Sequence, residues 1–315
     1  MTEPIKIDSH IHIFENVEEG LACKEGYEIW EYGQQEKVAL SAHSGTVEEL
    51  VAAMAEAGIA KGVVVNLVIP EVVRRKAARS LPPDLDARER EMALAGVEAG
   101  LPARLVEFNR WACRIAQAHP QIETFVGIDV ALMSPEANAQ HLRDMADTES
   151  ARGVKLHGPA QGFFMGDERL WPTYAVCREM ELPVIGHSGP DEDGKGFAEP
   201  RAFGAALAAF PEVPIVLAHM GGATWSQARE LADSYANAFF DCCEIIEWTR
   251  SAKGPTDAEL GRLIRDIGAE RVMMGSDFPW YDLDHTVERV MGLPVLSQEE
   301  KEGIIGANAQ RILKL

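Results

Sequence analysis

Eight short β-branched runs alternate with amphipathic helical stretches along 315 residues and predict a single α/β domain over 1–315. Its form is a (β/α)8 barrel with insertions after the first two strands. Two further observations favour a barrel over an open sheet. The alternation runs the length of the chain with no linker, internal repeat or low-complexity tract to divide it. Several runs are also nearly continuously apolar, as in Gly62-Val-Val-Val-Asn-Leu-Val68, which suits parallel strands covered on both faces. A hydrophobic share of 46% and a charged share of 25% are ordinary for a soluble globular protein with a large core.

Strands are expected at 5–7, 62–68, 125–132, 153–156, 183–186, 214–218, 239–242 and 271–275. Helical periodicity places amphipathic helices at about 47–57, 135–146, 168–180, 201–210, 226–237 and 257–267. A last segment, 297–315, opens with Ser297-x-x-Glu300, a capping-box pattern, and reads as a closing helix. Residues 13–45 carry Phe14, Tyr27, Trp30 and Tyr32; residues 70–118 carry Arg74, Arg75, Lys76 and Arg79 and a helical region ending near His119. Loops that follow barrel strands lie on the catalytic face, so both insertions are candidate lids or subunit contacts. The basic cluster reads as a solvated helix face.

A net charge of −20 argues against nucleic acid or an anionic membrane as partner and leaves a small-molecule substrate. The five cysteines (Cys23, Cys113, Cys177, Cys242, Cys243) form no zinc-finger or redox pair and read as thiols in a reducing compartment. No signal-like N-terminal segment and no apolar stretch of about 18 residues is present, so a cytoplasmic location is expected.

The chemistry concentrates at predicted strand ends, where barrel enzymes carry their catalytic groups. Strand 1 leads into Asp8-Ser-His10-Ile-His12, and residues two apart in an extended chain share a face, so both imidazoles can chelate one divalent ion. Strand 4 ends in Lys155 and His157, strand 5 in His187, strand 6 in His219 and strand 8 in Asp277. His43, His119 and His285 fall in loops or at helix ends and read as incidental. Lys155 and His157 share a face, and suit an anionic substrate as point charge and hydrogen-bond donor. Asp8 reads as an orienting hydrogen-bond partner rather than a ligand, and Arg152 as solvated. The loop 188–196 is glycine-rich and acidic, a candidate mobile rim without the spacing of a phosphate cradle. Trp225, Trp280 and Tyr281 are candidates for the wall of an apolar pocket.

Asp8-x-His10-x-His12, Val154-Lys-Leu-His157, Val184-Ile-Gly-His187, Ala218-His219-Met-Gly-Gly222, Gly275-Ser-Asp277-Phe-Pro279 and the terminal Gly306-Ala-Asn308-Ala-Gln-Arg311 together resemble the amidohydrolase superfamily. They most resemble its amidohydrolase family 2 branch of hydrolases, lactonases, hydratases and non-oxidative decarboxylases. The resemblance implies that His10, His12, His187 and Asp277 ligate one divalent metal, zinc first, with manganese, iron or nickel as alternatives. It implies that Asp277 and His219 are catalytic, and it leaves open a second metal bridged by a carboxylated Lys155. Homodimers are common among relatives. Two reactions follow. The first is hydrolysis of a small amide, ester or lactone by metal-activated water, with Asp277 handling the water's proton and His219 steadying charge on the carbonyl oxygen. The second is metal-dependent decarboxylation of an aromatic or unsaturated acid, with Asp277 or His219 delivering the proton. The lack of a clear carboxylate-binding arginine at a strand end puts hydrolysis first. A metal-independent lactonase and a non-catalytic barrel stand behind both.

Overall fold

The computed structural model describes residues 4–25, 32–33, 38 and 40–315; Tyr27 and Trp30 of the first insertion lie outside these residues. Eight parallel strands form the barrel wall: β1 (Ile7–Ile11), β2 (Lys61–Val64), β3 (Ile122–Gly127), β4 (Gly153–Leu156), β5 (Val184–Gly186), β6 (Ile215–Leu217), β7 (Ala238–Asp241) and β8 (Val272–Met273). Each strand pairs with the next in chain order. The chain beyond β8 closes the ring on β1. Ser9 N–H donates to Met274 O at 2.9 Å, Asp277 N–H to His10 O at 2.9 Å and His12 N–H to Phe278 O at 2.7 Å.

That closure explains the main departure from expectation. The first strand is not 5–7 with the histidine motif behind it; the segment 274–278 draws Asp8 and His10 into the wall itself. The third strand runs from 122 to 127 rather than from 125 to 132. Its apolar run continues past the paired segment into a turn where Asp129 Oδ1 accepts the Ala131 N–H at 2.8 Å.

The helices lie outside the ring: α1 (Val17–Glu25), α2 (Val47–Ala57), α3 (Pro70–Ser80), α4 (Ala87–Ala118), α5 (Pro135–Thr148), α6 (Gly158–Gln161) and α7 (Trp171–Met180) in the first half. The second half supplies α8 (Gly204–Ala209), α9 (Ala228–Ser234), α10 (Asp257–Ile267), α11 (Leu283–Gly292), α12 (Gln298–Glu302) and α13 (Asn308–Ile312). Reciprocal capping boxes start four of them, at Thr46/Glu49, Asp86/Glu89, Thr256/Glu259 and the expected Ser297/Glu300. Each such cap stabilises its helix by about 1 kcal/mol. The closing segment is helical as expected, with a π-helical turn at Gly303–Ala307 between α12 and α13.

Inside the ring, Ile7, Val63, Val65, Phe125, Ile185, Val216 and Met273 pack together, and Ala309, Ile312 and Leu313 around α13 close the cluster. Asn308 ties α13 on by donating to Ala269 O at 2.9 Å and Val272 O at 2.8 Å. Gly306 is needed because a Cβ there would lie 1.8 Å from Ile5 O. The interior core is thus apolar at the strands' N-terminal ends, and polar side chains gather at the other end.

The basic cluster lies on α3, where Arg75 and Arg79 are exposed. Arg74 pairs with Glu98 and Lys76 with Glu19, so the solvated-face reading holds. Cys113, Cys177, Cys242 and Cys243 are buried free thiols and Cys23 is half-buried. The loop after β5 is a hydrogen-bonded hairpin in which Asp191 accepts the N–H groups of Lys195 at 2.7 Å and Phe197 at 2.9 Å. Among the described residues no helix is long and apolar enough to cross a membrane.

Candidate metal centre

The end of β1 supplies the first donors. His10 is fully buried, and its ring is held from both sides. Nε2 lies 3.0 Å from Lys155 Nζ, and Nδ1 lies 3.0 Å from Asp241 Oδ2. A lysine amine is a hydrogen-bond donor towards this nitrogen, so Nε2 is the accepting atom and the proton of the neutral ring sits on Nδ1, facing Asp241. The Nε2 lone pair is the one directed into the mouth. His12, one residue beyond β1, brings Nε2 to 3.3 Å from Asp277 Oδ1, and His10 Nε2 stands 3.7 Å from the same oxygen.

Ligand atoms of His10, His12 and Asp277 all lie within 4.8 Å of one another. Two donors about 2.1 Å from a shared ion are separated by about 3.0–3.4 Å at ordinary coordination angles. The 3.3 Å pair lies in that range and the 3.7 Å pair is a few tenths of an ångström wider, so a small closure would let the three share a single divalent cation. Their protonation fits as well. Burial, then Lys155, holds His10 well below the usual imidazole range. Burial lowers His12 against the pull of Asp277. Burial opposes ionisation of Asp277, but the His12 hydrogen bond and the nearby His12, His219 and Lys155 outweigh it and keep the carboxyl below its ordinary value. Neutral imidazoles and an ionised carboxylate are the forms that bind metals.

His187, the fourth ligand expected, is not in that three-residue cluster. Its ring stands beside the group, 4.9 Å from His219 and stacked on His157 at 4.0 Å with the planes 4° apart. His157 also caps α6: its N–H donates to Gln161 Oε1 at 2.8 Å and its Nδ1 accepts the Ala160 N–H at 3.2 Å. The neutral ring consequently carries its proton on Nε2. Burial and then Lys155 push His157 down to about 3.

His219 follows β6 in a left-handed backbone turn, with φ of 61° at His219 and 51° at Met220. Its Nδ1 lies 3.3 Å from the Cys243 carbonyl. A carbonyl only accepts, so Nδ1 bears the proton and Nε2 is left as the basic atom. Burial brings His219 down to about 4, although Asp277 favours its charged form. Lys155 is wholly buried and turned into the barrel; burial lowers its pKa against the attraction of Asp241 and Asp277.

Of the remaining expectations, Asp8 orients backbone. Its Oδ1 accepts the N–H groups of His10 and Ser276, each at 3.0 Å, stapling β1 to the segment that carries Asp277. Trp280 is buried edge-on to His12 with ring centroids 5.4 Å apart, and Phe14 lies 6.3 Å behind it. Tyr281 is also buried and accepts from Trp248 Nε1 at 2.7 Å, while Trp225 donates to Lys253 O at 3.2 Å on the rim. Tyr32 stacks on Trp248 at 5.4 Å, and Ser41 Oγ donates to Pro279 O at 2.7 Å, so the first insertion rests on the loops after β7 and β8.

Two residues were not singled out from the sequence. Asp241 ends β7 fully buried, and Glu244, three residues on, brings Oε2 to 3.9 Å from His219 Nδ1. The signal for Asp241 was present, since it is the one charged residue in Phe239-Phe-Asp-Cys242 at a predicted strand end. The ninth histidine, His141, is a core residue in α5, its Nε2 2.9 Å from Asn109 Nδ2.

A family model described as Amidohydrolase matches residues 7–315. No curated protein matches the sequence. Among solved structures, 5-carboxyvanillate decarboxylase LigW from Sphingomonas paucimobilis superposes with a TM-score of 0.65 at 16% identity, covering 99% of this chain and 100% of that one. A dihydroxybenzoic acid decarboxylase from Polaromonas sp. JS666, with bound manganese and the inhibitor 2-nitroresorcinol, gives 0.63 at 15% identity over 100% and 98%. An uncharacterized TIM-barrel protein from Bordetella bronchiseptica gives 0.67 at 19% identity over 98% of each chain. At these identities the likeness is one of fold.

Proposed function

This chain belongs to the amidohydrolase family, and from that premise we propose that the enzyme is a metal-dependent, non-oxidative decarboxylase of an aromatic carboxylic acid. His10, His12 and Asp277 would hold one divalent ion, with His187 beside them as the fourth ligand. Manganese, the ion in the Polaromonas relative, suits this nitrogen and oxygen set, as do zinc, iron and nickel. When bound, that ion supplies positive charge and Lewis acidity towards the oxygens of a substrate carboxylate.

The observation that carries decarboxylation over hydrolysis is Lys155. The sequence lacks a strand-end arginine for an anionic substrate, and a wholly buried lysine stands in its place, 3.0 Å from His10 Nε2. Lys155 Nζ attracts the carboxylate as a point charge, His157 Nε2–H donates a hydrogen bond, and Trp280 walls the aromatic ring. As the carbon–carbon bond breaks, its electron pair stays on the ring carbon and carbon dioxide leaves. A proton drawn from solvent water and relayed through Asp277 or His219 Nε2 then takes the vacated position. Solved relatives of the same fold that act on hydroxylated benzoic acids support this reading.

The test is turnover of a panel of hydroxybenzoates in D2O by protein loaded with Mn2+ or Zn2+. The expected result is release of carbon dioxide with one deuterium at the vacated ring position. Inertness towards the whole panel, alongside incorporation of labelled water oxygen into the products of an ester, lactone or amide panel, establishes hydrolysis instead.

A further inference from the structure

One carboxylate of the mouth takes no part in that chemistry. Asp241 Oδ2 faces His10 Nδ1 at 3.0 Å. Its Oδ1 accepts two backbone N–H groups, from His219 at 2.8 Å and from Cys243 at 3.2 Å. The Cys243 carbonyl in turn accepts His219 Nδ1–H at 3.3 Å. These bonds join the ends of β1, β6 and β7 through a single buried side chain. They also hold His219 and Met220 in left-handed backbone, a conformation that L-residues disfavour.

We propose that Asp241 is a positioning residue that sets the tautomer of His10 and the orientation of His219 together. By accepting the hydrogen bond of His10 Nδ1–H it leaves Nε2 as the lone pair for a metal. By clasping the backbone at 219 and 243 it aims His219 Nε2 into the mouth. The inference rests on His10 being a metal ligand, and holds for decarboxylation and hydrolysis alike. A carboxylate hydrogen-bonded to a metal-binding histidine strengthens that ligand and fixes its ring.

Asp241→Asn separates this role from mere filling of space. The amide has one accepting oxygen. If that oxygen serves the two backbone N–H groups, the NH2 faces His10 Nδ1 and makes it an acceptor. The neutral ring is then driven to carry its proton on Nε2, the atom meant for the metal, against the Lys155 amine that faces that nitrogen at 3.0 Å.

The experiment is nitrogen NMR of histidine-labelled, metal-free protein, with metal affinity measured by competition against a chromophoric chelator using Mn2+ and Zn2+. In the wild type His10 is expected to be protonated on Nδ1. In a D241N protein that still unfolds cooperatively the proton is expected on Nε2, and both ions are expected to bind about 10–100-fold more weakly. A wild-type His10 protonated on Nε2 overturns the proposal without any variant. Wild-type affinity in D241N, or weakened affinity with the proton still on Nδ1, overturns the positioning role alone. A wild type that shows the expected tautomer but binds neither ion overturns the metal reading and, with it, the purpose assigned to Asp241.

Discussion

His10 and His12 on one side of the mouth, and His157 and His187 on the other, are imidazoles at strand ends, yet they are held by different forces. On the β7–β8–β1 side each group is pinned by directed bonds. Asp241 and Lys155 bracket His10, Asp277 meets His12, and Asp8 staples the two backbones beneath them. On the β4–β5 side the two rings are half-buried and lie face to face at 4.0 Å, with the one side-chain bond of His157 spent on capping α6. A directed bond fixes a ring's angle and tautomer, whereas stacking fixes only its plane. The pinned side is therefore suited to presenting a fixed donor set, and the stacked side to meeting a substrate or turning towards an ion.

The substitution with the largest expected effect breaks the pinned side. Asp277→Asn removes both a ligand charge and a proton-handling group, and turnover should fall by about a thousand-fold or more. Metal content measured on the same sample should fall with it. Full activity with full metal content would show that Asp277 does neither job.

Next in size is the cation between the two sides. Lys155→Met is expected to lower kcat/KM by about a hundred-fold, mostly through KM, while the metal is retained. Steady-state kinetics beside elemental analysis separates this from loss of the ion. A protein that gains a second equivalent of metal only with Lys155 present and bicarbonate supplied would instead assign the lysine to a bridging, carboxylated role.

Acid titration of the metal-free protein sharpens the contrast, because His157 on one side and Asp8 on the other respond with opposite signs. His157 sits at about 3 when folded against 6.5 for the free side chain. The unfolded chain binds the extra proton between those values, so this contribution is fully present above about 6.5 and is lost as pH falls towards 3. His157→Gln should flatten the decline of Tm over that window. Asp8, raised by burial to about 7 from 3.8, acts the other way. Its contribution is present at low pH and is lost as pH rises through 7, so Asp8→Asn should flatten a decline on that side. Parallel Tm–pH profiles for wild type and both variants would remove the distinction.

The smallest effect is at the aromatic wall. Trp280→Phe keeps a ring against His12 and should raise KM by only about threefold, in line with the modest worth of a single aromatic contact. A loss as large as that of Lys155→Met would mean that Trp280 positions His12 rather than the substrate.

Much of this arrangement was legible in the chain, and the gaps have physical causes. His10, His12, His157, His187, His219 and Asp277 were found because strand ends of a (β/α)8 barrel face one mouth, so a polar residue ending an apolar run declares its place. Asp241 obeys the same rule but was passed over, because an aspartate after two phenylalanines carries no metal-ligand spacing to mark it. The first strand was placed too early because Asp-Ser-His-Ile-His has little strand propensity of its own; pairing with 274–278 makes it a strand. Local preference is a weak guide when tertiary pairing decides.

By itself the sequence determined the strand–helix alternation, the closing helix with its Ser297 cap and the side chains that gather at the mouth, because these follow from residue type and short-range periodicity. Only the tertiary structure decided which of them touch. It put Lys155 against His10 and stacked His157 on His187 rather than on the ligand group, and it gave Asp241 hold of groups on β1 and beyond β6. The reason is that these partners lie tens to hundreds of positions apart in the chain, as with His10 and Asp241, separated by 231. No local pattern encodes the angle at which a closed ring of strands brings two side chains together.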